Sequence, residues 1–152
     1  MAMTTGIING TDMILFVQNG GSAGTIADYT AIGHLQECSI SPSRAMRDIT
    51  TKSSGGYSEF LPNTFSWTAS GSCLYAMDEA YGYTVLFTKF KARTKLIVMF
   101  GDPTDGANLV HKGEAFISSM PLTAPMEENA SFTVELQGTG EPQYGAASGL
   151  FA

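Results

Sequence analysis

Charge is scarce in this chain. Of 152 residues only 14% are Asp, Glu, Lys or Arg, against roughly 25% in an ordinary soluble domain. The 8 Lys and Arg are outnumbered by 14 Asp and Glu, for a formal net charge of -6. That balance excludes a cationic surface built to grip nucleic-acid phosphates. It also leaves more neutral surface free for burial against other subunits. Histidine is limited to His34 and His111, far apart in sequence and outside any metal-ligand motif. The two cysteines, Cys38 and Cys73, lack ligand spacing. They read as small buried hydrophobes that do not bridge in a reducing compartment. No apolar run approaches the roughly 20 residues of a membrane span, so no membrane partner is expected. No charged start followed by an apolar run marks a secretory leader, which places the expected site of folding in a cytoplasm.

Catalytic constellations are missing as well. There is no Gly-x-Ser-x-Gly elbow and no Gly-rich loop ending in Gly-Lys-Ser/Thr. Asp102 and Asp105 in DPTDGAN lack the later Glu of a calcium loop. Glu127-Glu128 after a proline reads as a solvated turn, and KFKARTK as a solvated helix end favoured by the helix dipole. No catalytic residue, cofactor or metal ligand is expected.

What the chain has is alternation and punctuation. From Thr64 the residues alternate without a slip: Phe65, Trp67, Ala69, Gly71 and Cys73 on one side, and Thr64, Ser66, Thr68, Ser70 and Ser72 on the other. Period two is the signature of a half-buried strand, here with a polar face made of hydroxyls alone. DMILFV from Asp12, HLQECSIS from His34, KLIVMFG, HKGEAFISSM and SFTVELQG read as further strands. Pro42 demotes or ends the second of them. Tyr83, Leu86, Phe87 and Phe90 recur at helical spacing, so 79–92 reads as the one helix, with Asp78 and Glu79 before it and Lys89, Lys91 and Arg93 late in it. The expected core is Phe65, Trp67, Leu86, Phe87, Phe90, Phe132, Val134 and Leu136. MAMTTGIING reads as a flexible arm over 1–10 and QNGGSAG as a turn. A long polar stretch runs over 43–63, broken by Gly55-Gly56 and Pro62, and long loops in compact domains are usually functional. Residues 141–152 are a Gly/Ala-rich tail. The whole 1–152 reads as one mainly-β domain, an antiparallel β-sandwich or barrel with one flanking helix.

Several of these pieces, in this order, match a known pattern. They are DITTKSSGGYSE from Asp48, Ser66-Trp67, Gly113-x-Ala115-x-Ile117, Leu122-Thr-Ala-Pro125, Ala130-Ser-Phe-Thr-Val and Gln137-Gly-x-Gly140. In this ordered set the chain resembles the major tail protein, or tail tube protein, family of long-tailed bacteriophages. The resemblance implies the tail-tube fold and six-membered rings stacked into a hollow tube. Strands of all subunits would line a lumen through which double-stranded DNA passes without specific binding. It implies that the chain's main partner is itself, with tape-measure and tail terminator or tip proteins beside it. It places the protein in the virion tail, assembled in the host cytoplasm. The stretch 43–63 becomes a loop reaching the adjacent ring, with Arg44, Arg47, Asp48, Lys52 and Glu59 fixing register. A tube protein of a type VI or related contractile injection system is an alternative of the same kind. A carbohydrate-binding β-sandwich is one of another kind, and would need exposed aromatic platforms.

Overall fold

The computed structural model describes residues 8–18, 25–77 and 81–150. The N-terminal arm up to residue 7, the turn at 19–24, and Asp78 and Glu79 ahead of the helix lie outside these. A 3-10 turn at Gly10–Asp12 leads into β1 (Ile14–Gln18), and a second, Ile26–Asp28, into β2 (Tyr29–Ala31). Two long strands follow, β3 (Leu35–Asp48) and β4 (Phe60–Leu74). Helix α1 (Tyr83–Lys91) precedes β5 (Leu96–Gly101), β6 (Leu109–Ser119), the short β7 (Leu122–Thr123) and β8 (Ser131–Ala146). A final turn of helix, α2, spans Ala147–Leu150.

All eight strands join one antiparallel sheet in the order β2-β1-β5-β6-β8-β4-β3, with β7 beside β8. The expected mainly-β antiparallel fold with a flanking helix is therefore present. The β3–β4 pairing shifts register between Leu35 and Glu37 and between Arg44 and Met46, and β6–β8 shifts twice more. Such irregularities bend and twist strands. The sheet curls until β3 returns to the start of β1, where the Cys38 thiol donates to the Met13 carbonyl at 3.2 Å.

The curl encloses the main core. Trp67, Ala69 and Cys73 point inward from β4 and Phe132, Val134 and Leu136 from β8, with Leu86 of α1 closing one side. Trp67 is 1% exposed and lies flat against two glycines of neighbouring strands. A Cβ on Gly113 would stand 2.5 Å from Cζ2 of the ring, and one on Gly138 would fall inside the indole at Cε2, Cδ2 and Nε1. The Trp67 Nε1–H donates to the Gly140 carbonyl at 3.3 Å, and the Gln137 amide donates to the Trp67 carbonyl at 3.2 Å. Three pieces of the sequence pattern thus form one packing unit.

Two expected core residues are not in the core. Phe65 shares the parity of Trp67 but is 38% exposed. Strand β8 pairs with β4 only from Thr68 to Leu74, so ahead of Thr68 the inward side has no sheet across it. Phe87 is 39% exposed. The nine-residue helix buries only Leu86, and Phe87 stacks at its margin against Tyr83, ring centroids 5.6 Å apart. Phe90 is half-buried, packed against the core.

The C-terminal segment also differs from the expected tail. Strand β8 continues beside β6 through His111↔Tyr144 and Leu109↔Ala146. Helix α2 then folds onto the opposite face of the sheet, where Ala147 joins Tyr29, Met99 and Val110 in a small second core. Small residues permit this: the backbone N–H of Ser148 reaches the Gly106 carbonyl at 3.0 Å.

Both cysteines are free thiols. Cys73 is fully buried, and burial pushes its thiol up to about 12. Unfolded, unreduced protein should take two alkyl groups by mass. Native protein should leave Cys73 unlabelled at neutral pH, because the thiolate is the reactive form.

Candidate assembly surface

The stretch expected as a loop is about half strand. β3 and β4 continue past the sheet as a two-stranded arm, paired as Pro42↔Trp67, Ser43↔Ser66, Arg44↔Phe65, Met46↔Pro62, Arg47↔Leu61 and Asp48↔Phe60. The strand runs straight through Pro42, because β3 is the edge of the sheet and its outer side has no ladder to break. Only 49–59 form the connecting tip.

That tip is tied from within. The Ile49 N–H donates to the Glu59 carbonyl at 2.9 Å, and the Glu59 N–H to the Thr50 hydroxyl at 2.9 Å. The Ser54 hydroxyl donates to the Glu59 carboxylate at 3.0 Å. The Thr50 N–H donates to Asp48 Oδ1 at 2.8 Å, and the hydrogen bonds from Thr50 hold the Asp48 carboxyl below its usual range. Gly55 and Gly56 turn the chain at φ 66° and 88°, where a side chain would be strained.

The five charged candidates therefore divide. Asp48 and Glu59 build the tip. Arg44 lies over the Phe65 ring, 5.4 Å from its centroid. Arg47 and Lys52 are exposed and enter no ion pair among the described residues. Charge alone missed what the arm mostly displays. Met46, Ile49, Tyr57, Phe60, Leu61 and Phe65 are all exposed there, Tyr57 at 79%. The signal in the sequence was Phe60-Leu61 and Tyr57 within an otherwise polar stretch.

Behind the arm, the hydroxyl face continues across three strands. Ser39, Ser41 and Ser43 of β3 stand opposite Ser70, Thr68 and Ser66 of β4. The Ser39 and Ser70 hydroxyls are 2.8 Å apart, and those of Ser43 and Ser66 3.0 Å. On β8 the same face carries Thr133, Glu135 and Gln137. None of these positions is a lysine or arginine.

Chemistry is sparse elsewhere. Among the described residues no group of three His, Cys, Asp or Glu is placed to hold a metal ion. His111 stacks on Tyr144, centroids 4.4 Å apart, and burial lowers its proton affinity. Asp102 accepts from the backbone N–H of Thr104 at 3.0 Å and from Asn108 at 3.2 Å, an internally satisfied turn. Trp67, the one tryptophan, is buried and offers no platform for a sugar.

A greasy two-stranded arm and a broad hydroxyl-rich sheet face are features of a structural subunit that completes its surface against other chains. The sequence profile of the phage tail tube protein family matches residues 7–144, and the chain belongs to that family. Among solved structures it is similar to a chain of the tail of an empty gene transfer agent (GTA) particle, refined with helical C6 symmetry. That match has TM-score 0.75 and 18% identity, covering 92% of this chain and 100% of that one. A chain of the SPP1 tail tube matches at TM-score 0.70 and 13% identity, over 92% of this chain and 80% of that one. A chain of the anti-feeding prophage (AFP) baseplate, 6-fold symmetrised, matches at TM-score 0.66 and 10% identity, over 95% and 99%. At these identities the likeness is one of fold. Comparison with curated protein sequences gives no match.

Proposed function

We propose that six copies of this chain close into a ring, and that rings stack through the β3–β4 arm into a hollow tube that conducts double-stranded DNA. The observation that carries this is the arm: six large apolar side chains exposed together on one ribbon among the described residues. Isolated two-stranded hairpins are marginal in water, so such a ribbon gains from burial against a neighbour. The sixfold ring follows the C6 symmetry of the GTA tail whose fold it shares.

The hydroxyl face of β3, β4 and β8 is the natural wall of the lumen. It carries no cation to hold a phosphate, and it carries Glu135. Screening reaches about 8 Å at physiological salt, so like charge keeps DNA from sticking to the wall. In this reading the chain works as a structural part without catalysis. Tape-measure and terminator or tip proteins bound the tube's length, and the tube sits in the virion tail after assembly in the host cytoplasm.

Deleting residues 52–56 tests the arm. The subunit should stay folded, with melting by circular dichroism unchanged within about 2 °C, yet form no tubes by electron microscopy. Tubes of normal length from the deleted protein would refute the proposal.

A further inference from the structure

Strand β3 has an unusual distribution of chemistry between its two ends. At its C-terminal end is the arm tip. At its N-terminal end is a groove of about 570 Å³ between β3 and the approach to β1. Met13, Ile14, Ile32 and Leu35 give the groove apolar lining, and Glu37 and Cys38 stand on its β3 side. The volume lies inside the roughly 300–1,000 Å³ range of specific pockets. It suits one large side chain with its neighbours, not a folded partner.

The two ends are complementary. Glu37 is exposed and enters no ion pair among the described residues. Asp12 is exposed next to Thr11 and Met13 of the lining, and no lysine or arginine lines the groove. The tip offers the reverse: exposed Lys52 without an ion pair, and the Tyr57 ring at 79% exposure. Leu35 and Asp48 bound the same 14-residue strand. At about 3.3 Å per residue, roughly 40 Å of continuous backbone separates tip from groove, so a subunit cannot fill its own groove. A projecting knob at one end and a matching hole at the other make a heterologous contact, which repeats without closing.

We infer that the groove at Met13–Cys38 is the receptor for the arm of a second copy in the next ring, with Tyr57 seated among Met13, Ile14, Ile32 and Leu35 and Lys52 against Glu37. This rests on the tube reading and names the partner surface that the arm meets. The acidic rim sets polarity. An arm tip brought to another arm tip sets Lys52 against Lys52, whereas tip to groove pairs opposite charges. Complementary charge of this kind suppresses wrong pairings more than it adds affinity.

The test is a charge swap read as the critical concentration for tube growth, by sedimentation. Glu37→Lys and Lys52→Glu should each raise it at least about tenfold. The double variant Glu37→Lys/Lys52→Glu should return to within about threefold of the unaltered protein. Single variants that polymerise normally, or a double variant no better than the singles, would overturn the assignment while leaving the tube reading intact.

A second arm uses the native thiol. With Tyr57→Cys, mild oxidation should join Cys38 of one copy to the new cysteine of the next, giving a ladder of covalent multimers. Adding Cys38→Ser should abolish the ladder. A groove filled by the chain's own residues 1–7, or by another protein, gives neither rescue nor ladder. Should the unaltered protein make no tubes at all, the tube reading falls. The cross-link, run on concentrated soluble protein, then still decides whether the groove receives the arm.

Discussion

Gly138→Ala is expected to lower the melting temperature by roughly 6–12 °C. Overpacking a core typically costs 1–3 kcal/mol. The upper end applies here, because the added methyl would overlap three atoms of the Trp67 indole, and the ring is held on its other side by the rest of the core. For a domain of about 150 residues each kcal/mol shifts the midpoint by roughly 2–4 °C. The effect is steric and not conformational, since Gly138 does not adopt a left-handed backbone. Gly149→Ala is the control: an added methyl there meets nothing within 4 Å, and the midpoint should hold. Equal midpoints for both variants would mean that Trp67 does not rest on Gly138.

Trp67→Ala should be more damaging still, about 3–5 kcal/mol, because it empties the centre of the curl and removes the bond to the Gly140 carbonyl. The informative measurement is the double variant. Once the ring is gone, a methyl at 138 enters vacated space, so Trp67→Ala/Gly138→Ala should melt close to Trp67→Ala alone. Contacting residues depart from additivity in this way by roughly 0.5–3 kcal/mol. Strictly additive losses, measured by chemical denaturation, would place the clash elsewhere.

The same tryptophan marks how far the sequence could be read. From Trp67 to Cys73 the period-two pattern gave the inward face correctly, because from Thr68 onward β4 lies between β3 and β8. One step earlier, at Phe65, the same parity led outward. Where β8 parts from β4 is a non-local event, set by the far end of the chain, and no window around Phe65 contains it. The 43–63 stretch hid its strands for a related reason. A ribbon exposed on both faces has no apolar alternation to display, and Pro42, Pro62 and the two glycines looked like breakers. Charged candidates were easy to name there, but which of them build the tip and which stay free depended on Thr50 and Ser54 hydrogen bonds. Residues 143–146 looked like part of a tail because Gly and Ala carry little pattern, though their pairing with β6 is regular. The ordered motif pieces carried the family, and the structure gives a reason: Trp67, Gly113, Gly138 and Gly140 are neighbours.

The arm's isolation from the sheet has a kinetic consequence. Beyond Thr68 each strand of the ribbon has one hydrogen-bonded neighbour and no hydrophobic floor, so in a lone subunit it opens and closes at little expense compared with global unfolding. Holding it still at the moment of contact carries an entropy penalty of roughly 1–2 kcal/mol per ordered residue. An encounter between two free subunits bears that penalty for a single contact. In the assembly proposed above, a finished ring of six would present six receptors at once, and each arm that seats would hold the next subunit's arm within reach of its own site. On that proposal growth from an existing end is fast and spontaneous starts are rare, so a pool of subunits would wait in solution until something supplies the first ring.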